Sequence, residues 1–336
     1  MQRALLPLVL HVMATGVHPW RFLGLDGFPT CKYGLFFGKL LIFFCHDSVS
    51  DGHFHYTSGM SDSGQLSKKQ IQALRLLRKR SERYAQERFI VEGHRAVAQV
   101  LENRVLDVLS LIVTADYLES LSVPGEDARS RDFLHGDIPV FQVTSRVFEQ
   151  LADTDTAQGI MAVCRLPDAS DPDAMFGERG VILVADHIRD PGNLGTMVRT
   201  GVWFGLKGLV LSEGTVDLFH PKVVRSTAGA TGVLPFITTG LPQFLKEASL
   251  RGWNIHLLDG GSGSSPYLSV RPTGCDILVV GSEATGISQA VIGMNFQRVR
   301  VDPAGSAGDA GESRAVESLN ASVASAIVMA HFCAGE

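Results

Sequence analysis

The chain has 336 residues, 45% of them hydrophobic and 19% charged, which suits a soluble globular protein with room for two modest cores. A formal net charge of −5 argues against binding nucleic acid over the whole surface, though not against a local basic face. Five cysteines (Cys31, Cys45, Cys164, Cys275 and Cys333) without C-x-x-C spacing or a histidine partner motif argue against a disulfide framework or a metal site, and fit a reducing cytoplasm.

Residues 1–65 read differently from the rest. Arg3 followed by the apolar run Ala4 to Leu10 mimics the charged and apolar regions of a signal peptide. A later run at 35–45 is interrupted by Lys39 and is too short to span a bilayer. The segment reads as an upstream extension, disordered or translated from a start placed too early, with Met60-Ser61-Asp62-Ser63-Gly64 as the natural beginning. A genuine targeting segment is the competing explanation.

Residues 66–166 show alternating elements. A helix is predicted from Leu66, with Ile71, Leu74, Leu77 and Tyr84 as its apolar stripe. Lys68, Lys69, Arg78, Lys79, Arg80 and Arg83 crowd the remainder against only Glu82 and Glu87, a face suited to phosphate contact. A strand at 89–93 ending in Glu92-Gly93, a helix at 94–101, strands at 108–113 and 139–143, a helix at 145–151 and a strand at 158–164 follow. This alternation describes a small α/β sandwich. Residues 167–179, rich in Asp, Pro and Ala, have the composition of a linker.

Residues 180–336 predict an α/β domain, a parallel sheet with helices on both sides. Its first strand, Val181-Ile182-Leu183-Val184, is apolar on both faces. The turn Asp190-Pro191-Gly192-Asn193 then opens a helix with Leu194, Met197, Val198, Val202 and Trp203 at helical spacing, and Arg199 does not belong to that pattern. An amide in the turn and an arginine six residues later describe a site at the carboxyl end of a strand. A strand at 209–211, a helix begun by Pro221 and carrying Lys222 and Arg225, and a strand at 233–237 come next. A helix at 242–251 and strands at 253–258, 276–281 and 299–301 lead to a closing helix at 318–332. That helix sets Leu319, Val323, Ile327 and Ala330 on one face.

Three stretches resemble, in order, the signatures of the SpoU/TrmH family of RNA ribose methyltransferases. They are the D-x-x-x-D-P-G-N-L-G-x-x-x-R-T run from Asp186, Val280-Gly281-Ser282-Glu283-Ala284-Thr285-Gly286-Ile287-Ser288, and Glu317-Ser318-Leu319-Asn320-Ala321-Ser322-Val323-Ala324. The region before them resembles the ribosomal-protein-like domain with which many such enzymes bind RNA. The resemblance implies a deep trefoil knot holding S-adenosylmethionine, with no metal, through Gly281, Ile287, Val301, Ser318 and Leu319. It implies catalysis by Arg199, Asn193, Glu283 and Asn320, and RNA contact through Lys68, Lys69, Arg78, Lys79, Arg80, Arg83, Lys222 and Arg225. Ribosomal RNA is favoured over transfer RNA as substrate, in a cytoplasmic homodimer with no membrane association.

By the same resemblance Asn193 orients Arg199 or the sugar. Asn320, placed inside the first turn of the closing helix, is expected to serve the site, while Ser318 serves equally well as a helix cap. The loop at 302–316 is longer than the family usually shows. A non-catalytic RNA-binding assembly protein is the alternative function. A nicotinamide-dependent oxidoreductase lacks its G-x-G-x-x-G turn.

Overall fold

The computed structural model describes residues 64–121, 137–261, 263–303 and 318–334. It also gives, by backbone alone, an antiparallel pair, Gly34–Phe37 (β1) and Leu40–Phe43 (β2), in a separate unit, Met1–Thr57. The reading of Met60 as a start, and otherwise that of residues 1–59, lies outside the described residues. Among the described residues no helix is long and apolar enough to cross a membrane.

The basic segment forms two helices rather than one. Lys68–Leu76 (α1) begins on a capping box: Ser67 Oγ accepts from Gln70 N at 3.2 Å, and Gln70 Oε1 accepts from Ser67 N at 2.8 Å. Lys79 is extended, and Arg80–Gln86 (α2) starts in a new direction. This break has a consequence for the apolar stripe. Leu74 and Leu77 are buried as predicted, but Tyr84 is 45% exposed and Arg83 takes the inward position.

Arg88–Glu92 (β3), His94–Asn103 (α3), Val108–Thr114 (β4), Ala115–Ser120 (α4), Val140–Val143 (β5), Ser145–Leu151 (α5) and Ile160–Arg165 (β6) complete this layer. The sheet order is β3-β6-β4-β5, antiparallel except for β4 with β5. β6 is buried over five consecutive residues because helices cover both faces. Val97 and Val100 pack on one side, and Leu74, Leu77 and Phe148 on the other. Helix α4 had no periodic signal of its own.

The stretch with linker composition is packed. Pro172–Met175 (α6) buries Met175 against Ile182 and Phe244. Ser170 donates its N–H to Phe236 O at 2.8 Å and accepts from Phe236 N at 3.2 Å.

Beyond it come Gly180–Asp186 (β7), Pro191–Trp203 (α7), Gly208–Leu211 (β8), Pro221–Ser226 (α8), Phe236–Thr238 (β9), Leu241–Leu250 (α9) and Asn254–Leu258 (β10). Ser265–Pro266 (β11), Cys275–Gly281 (β12), Gln289–Ile292 (α10), Gln297–Arg300 (β13) and Ala321–Cys333 (α11) follow. The order β11-β13-β10-β12-β7-β8-β9 is parallel throughout. Alternate residues of β7 explain both faces: Val181 and Leu183 pack with Leu194, Met197 and Val328, while Ile182 and Val184 pack with Leu245 and Val291. The chain winds outward from β7 through β8 and β9, then crosses to β10 beyond β12. The crevice outside the ends of β7 and β12 is therefore the switch point where α/β sheets bind ligands.

Three further expectations change. Trp203 is 84% exposed, not part of the core stripe of α7. The closing helix begins at Ala321, and its buried side is Ser325, Val328, Met329 and Phe332. Leu319 and Val323 are each 46% exposed, so the face that the spacing picked out points away from the core. Residues 304–317, through which the implied knot and most of the long loop would run, lie outside the described residues.

Candidate active site

Asp190 caps α7 by accepting the N–H of Asn193 at 2.7 Å, with Pro191 in the first turn, where a missing donor costs nothing. Asn193, only 8% exposed, then reaches the switch-point crevice and donates Nδ2–H to Glu283 Oε1. Asn320 donates Nδ2–H to Asn193 Oδ1 at 2.9 Å and to Glu283 Oε1 at 3.0 Å. Ala321 N–H also approaches Glu283 Oε1, at 3.4 Å. One carboxylate oxygen thus accepts from two side-chain amides and from the amino terminus of α11, where the helix dipole favours negative charge.

Asn320 is itself the cap of α11, not a residue inside its first turn. Its Oδ1 accepts from Ser322 N at 2.9 Å and Val323 N at 3.3 Å. The two ends of one amide therefore do two jobs: the oxygen starts the helix and the nitrogen ties Asn193 to Glu283. Ser318 is exposed and does not cap this helix.

The loop carrying Glu283 is fixed by backbone. A Cβ on Gly281 would stand 2.3 Å from Gly286 C and Ile287 N, so only glycine admits this return of the chain. Ser282 and Gly286 exchange backbone bonds of 3.2 and 2.7 Å. Ile287 is buried and Val301 half-buried beside this edge.

Sequence reasoning missed Asp186, which locks the loop in place. It is 1% exposed, accepts Ser288 N–H at 2.7 Å through Oδ2, and holds His187 Nδ1 at 2.6 Å through Oδ1. The signal was available as an acid closing a seven-residue buried strand. His187 adopts φ +56°, a conformation that non-glycine residues rarely hold and that gathers at functional sites.

Arg199 is not hydrogen-bonded into the group formed by Asn193, Glu283 and Asn320. It is exposed and makes no hydrogen bond or ion pair to them. At 100° per residue it leaves α7 roughly 120° around the axis from Asn193. Asn193 makes no hydrogen bond to Arg199; its amide bonds Glu283 and Asn320.

Of the basic residues, Lys68, Lys69, Lys79, Arg80 and Lys222 are exposed. Arg78 is exposed but donates to Ala152 O, and Arg225 is half-buried, 3.5 Å from Asp153. Arg83 is a correction. It is 1% exposed, pairs with Asp217, and donates to Leu77 O and Arg78 O at 2.9 Å each, so its charge holds α2 against the loop after β8. It is not available to RNA.

Residues 180–330 match the SpoU rRNA Methylase family, and residues 68–162 an MRM3-like substrate binding domain. The chain is 29% identical over 255 residues to the 23S rRNA (guanosine(2553)-2'-O)-methyltransferase RlmP of Bacillus subtilis, covering 76% of this chain and 92% of that one. It is 29% identical over 166 residues to human mitochondrial rRNA methyltransferase 3, covering 48% of this chain and 37% of that protein. Among solved structures, a putative RNA methyltransferase of the TrmH family from Porphyromonas gingivalis superposes with a TM-score of 0.63 at 29% identity, covering 80% of this chain and 98% of that one. AviRb of Streptomyces viridochromogenes, solved with AdoMet, shares the fold at a TM-score of 0.64 and 22% identity, with 80% and 98% of the chains covered.

Proposed function

The chain belongs to the SpoU rRNA methylase family, and from that premise we propose that it methylates a ribose 2′-hydroxyl of ribosomal RNA using S-adenosylmethionine. One observation carries the reading. Asn193, Glu283 and Asn320, each from a different signature stretch, form one hydrogen-bonded group at the switch point.

The residues present fit the cofactor. β12, β10 and β13 are neighbours, so the loops leaving them line one edge, and in the loop after β10 Ser264 Oγ is buried without a protein partner among the described residues. A buried hydroxyl so placed has a hydrogen bond to offer a bound ligand. Gly281, Ile287, Val301, Ser318 and Leu319 would hold the cofactor, which supplies a methyl group made electrophilic by its sulfonium. The protein's own task is then alignment. Glu283, with Oε1 occupied by three donors, keeps Oε2 to accept the proton of the attacking hydroxyl. Arg199 is no base, since a guanidinium keeps its proton, and it serves by holding the neighbouring phosphate and stabilising developing alkoxide.

The exposed bases on α1 and α2, with Lys222, supply the RNA-facing charge. A homodimer and a cytoplasmic setting are part of this reading; the homodimer is supported by the exposure of Trp203 on α7, Val323 on α11 and Leu319 just before it, α7 and α11 packing together. Arg199→Ala is expected to abolish transfer of tritiated methyl to ribosomal RNA while calorimetry shows cofactor binding within twofold of wild type. Retained turnover would overturn the assignment.

A further inference from the structure

Beside the methyl-transfer crevice, at the carboxyl ends of β8 and β9, lies a cleft of about 150 Å³. One wall is α2, presenting Arg80 and Tyr84; the other is the loop after β8, with Ser212 and Glu213, closed by Thr238. Asp217 also lines the cleft, and is held by the buried Arg83, with side chains 6% and 2% exposed. A cavity of this size admits a small aromatic ring.

The walls are held rigidly. Tyr84 is on the surface, yet its hydroxyl donates to Asp217 Oδ1 at 2.8 Å, which fixes the ring. Burial, reinforced by that bond, pushes the phenol up to about 12, so it stays a donor. The Arg80 guanidinium lies 5.4 Å from the ring centroid. The opposite loop is pinned by Ser212 N to Ala185 O at 3.0 Å, Val216 N to Ile188 O at 2.8 Å and His187 N to Ser212 Oγ at 2.8 Å. His187 adjoins Asp186, which anchors the loop carrying Glu283, so cleft and crevice share a support. By contrast, Glu213 is exposed, with no hydrogen bond or ion pair for its carboxylate among the described residues.

An aromatic ring with an arginine over it is a stacking platform for an unstacked base. A free carboxylate beside such a platform reads a base edge that offers donors. Of the four RNA bases, only guanine carries two adjacent N–H donor groups, at N1 and N2, that one carboxylate accepts together. We propose that this cleft receives a guanine base extruded from the RNA beside the methylated ribose, stacked on the Arg80–Tyr84 pair and read by Glu213. This rests on the RNA methyltransferase reading, and adds a specificity residue that no signature stretch contains.

The test uses the full chain and fluorescent uridine decamers carrying one central guanosine or inosine, which lacks the N2 amino group. Wild type is expected to bind the guanosine decamer at least fivefold more tightly. Glu213→Ala should abolish that preference and leave S-adenosylmethionine binding intact. Tyr84→Leu should weaken binding of both decamers, and Tyr84→Phe should restore it. Equal affinities for the two decamers in wild type, or a preference that survives Glu213→Ala, would overturn the proposal. Separately, the methylated ribose in ribosomal RNA should map to a guanosine or its immediate neighbour, and any other position would also overturn it. Absence of methyl transfer alongside a Glu213-dependent preference would sink the enzymatic reading and spare the cleft.

Discussion

Arg83→Met separates a structural role for this arginine from the phosphate contact its sequence suggested. The substitution keeps the apolar stem and deletes four donated hydrogen bonds, two to Asp217 Oδ2 and one each to Leu77 O and Arg78 O. Asp217 is left buried with only the Tyr84 hydroxyl. Breaking a buried pair from one side costs about 3–5 kcal/mol, whereas an exposed pair such as Lys207–Glu178, 35% and 79% exposed, is worth about 0–1 kcal/mol. With an m-value of about 3 kcal/mol/M in urea, the midpoint should fall by more than about 1 M. Asp217→Asn should cost a similar amount, and the double variant less than the sum, because the two substitutions delete one shared contact. RNA binding by the folded variant should keep the wild-type salt dependence. A lost phosphate contact would instead reduce the slope of log affinity against log salt by about 0.7–0.9. A variant within about 1 kcal/mol of wild type, with that reduced slope, would refute the structural role.

Gly281→Ala should abolish S-adenosylmethionine binding by calorimetry, since the added Cβ would meet the backbone of Gly286 and Ile287 at 2.3 Å and must push the loop open. Asp276 makes the acid limb of stability informative. Burial alone would raise its carboxyl, but the bond to His256 at 2.9 Å and donation from Thr273 outweigh burial and hold it below the ordinary value. A depressed carboxyl contributes stability that is complete above its unfolded pKa, about 4, and is lost as pH falls through the folded value. Urea midpoints measured from pH 7 down to pH 3 should therefore fall less steeply in Asp276→Asn than in wild type. Val323→Asp, on the outward face of α11, should leave thermal stability of the monomer nearly unchanged and shift the light-scattering mass to that of one chain.

Much of this was legible locally. The run from Val181 to Val184 is apolar at every position, which only a strand covered on both faces tolerates, and it announced the parallel sheet. Asp190, Pro191 and Pro221 declared helix starts through cap and ring geometry, which depend on neighbours within three residues. The signature stretches yielded Asn193, Glu283 and Asn320, though not their mutual contact.

What the tertiary structure alone decided concerns partners far apart in the chain. Arg83 looks like one more surface base until Asp217, 134 residues on, is seen to bury it. Asn320 reads as a residue inside the closing helix, yet it caps that helix while Asn193 and Glu283 reach its nitrogen from 127 and 37 residues away. Trp203 fits a helical stripe by spacing, but periodicity records only which side of a helix is apolar, not whether anything in the same chain covers it. Sequence therefore determined most of the elements, where the forces are short-range, though not the break at Lys79, the helix at Pro172–Met175 or the start of α11. Which charges are buried, and which amides meet, depended on long-range packing that no local pattern encodes.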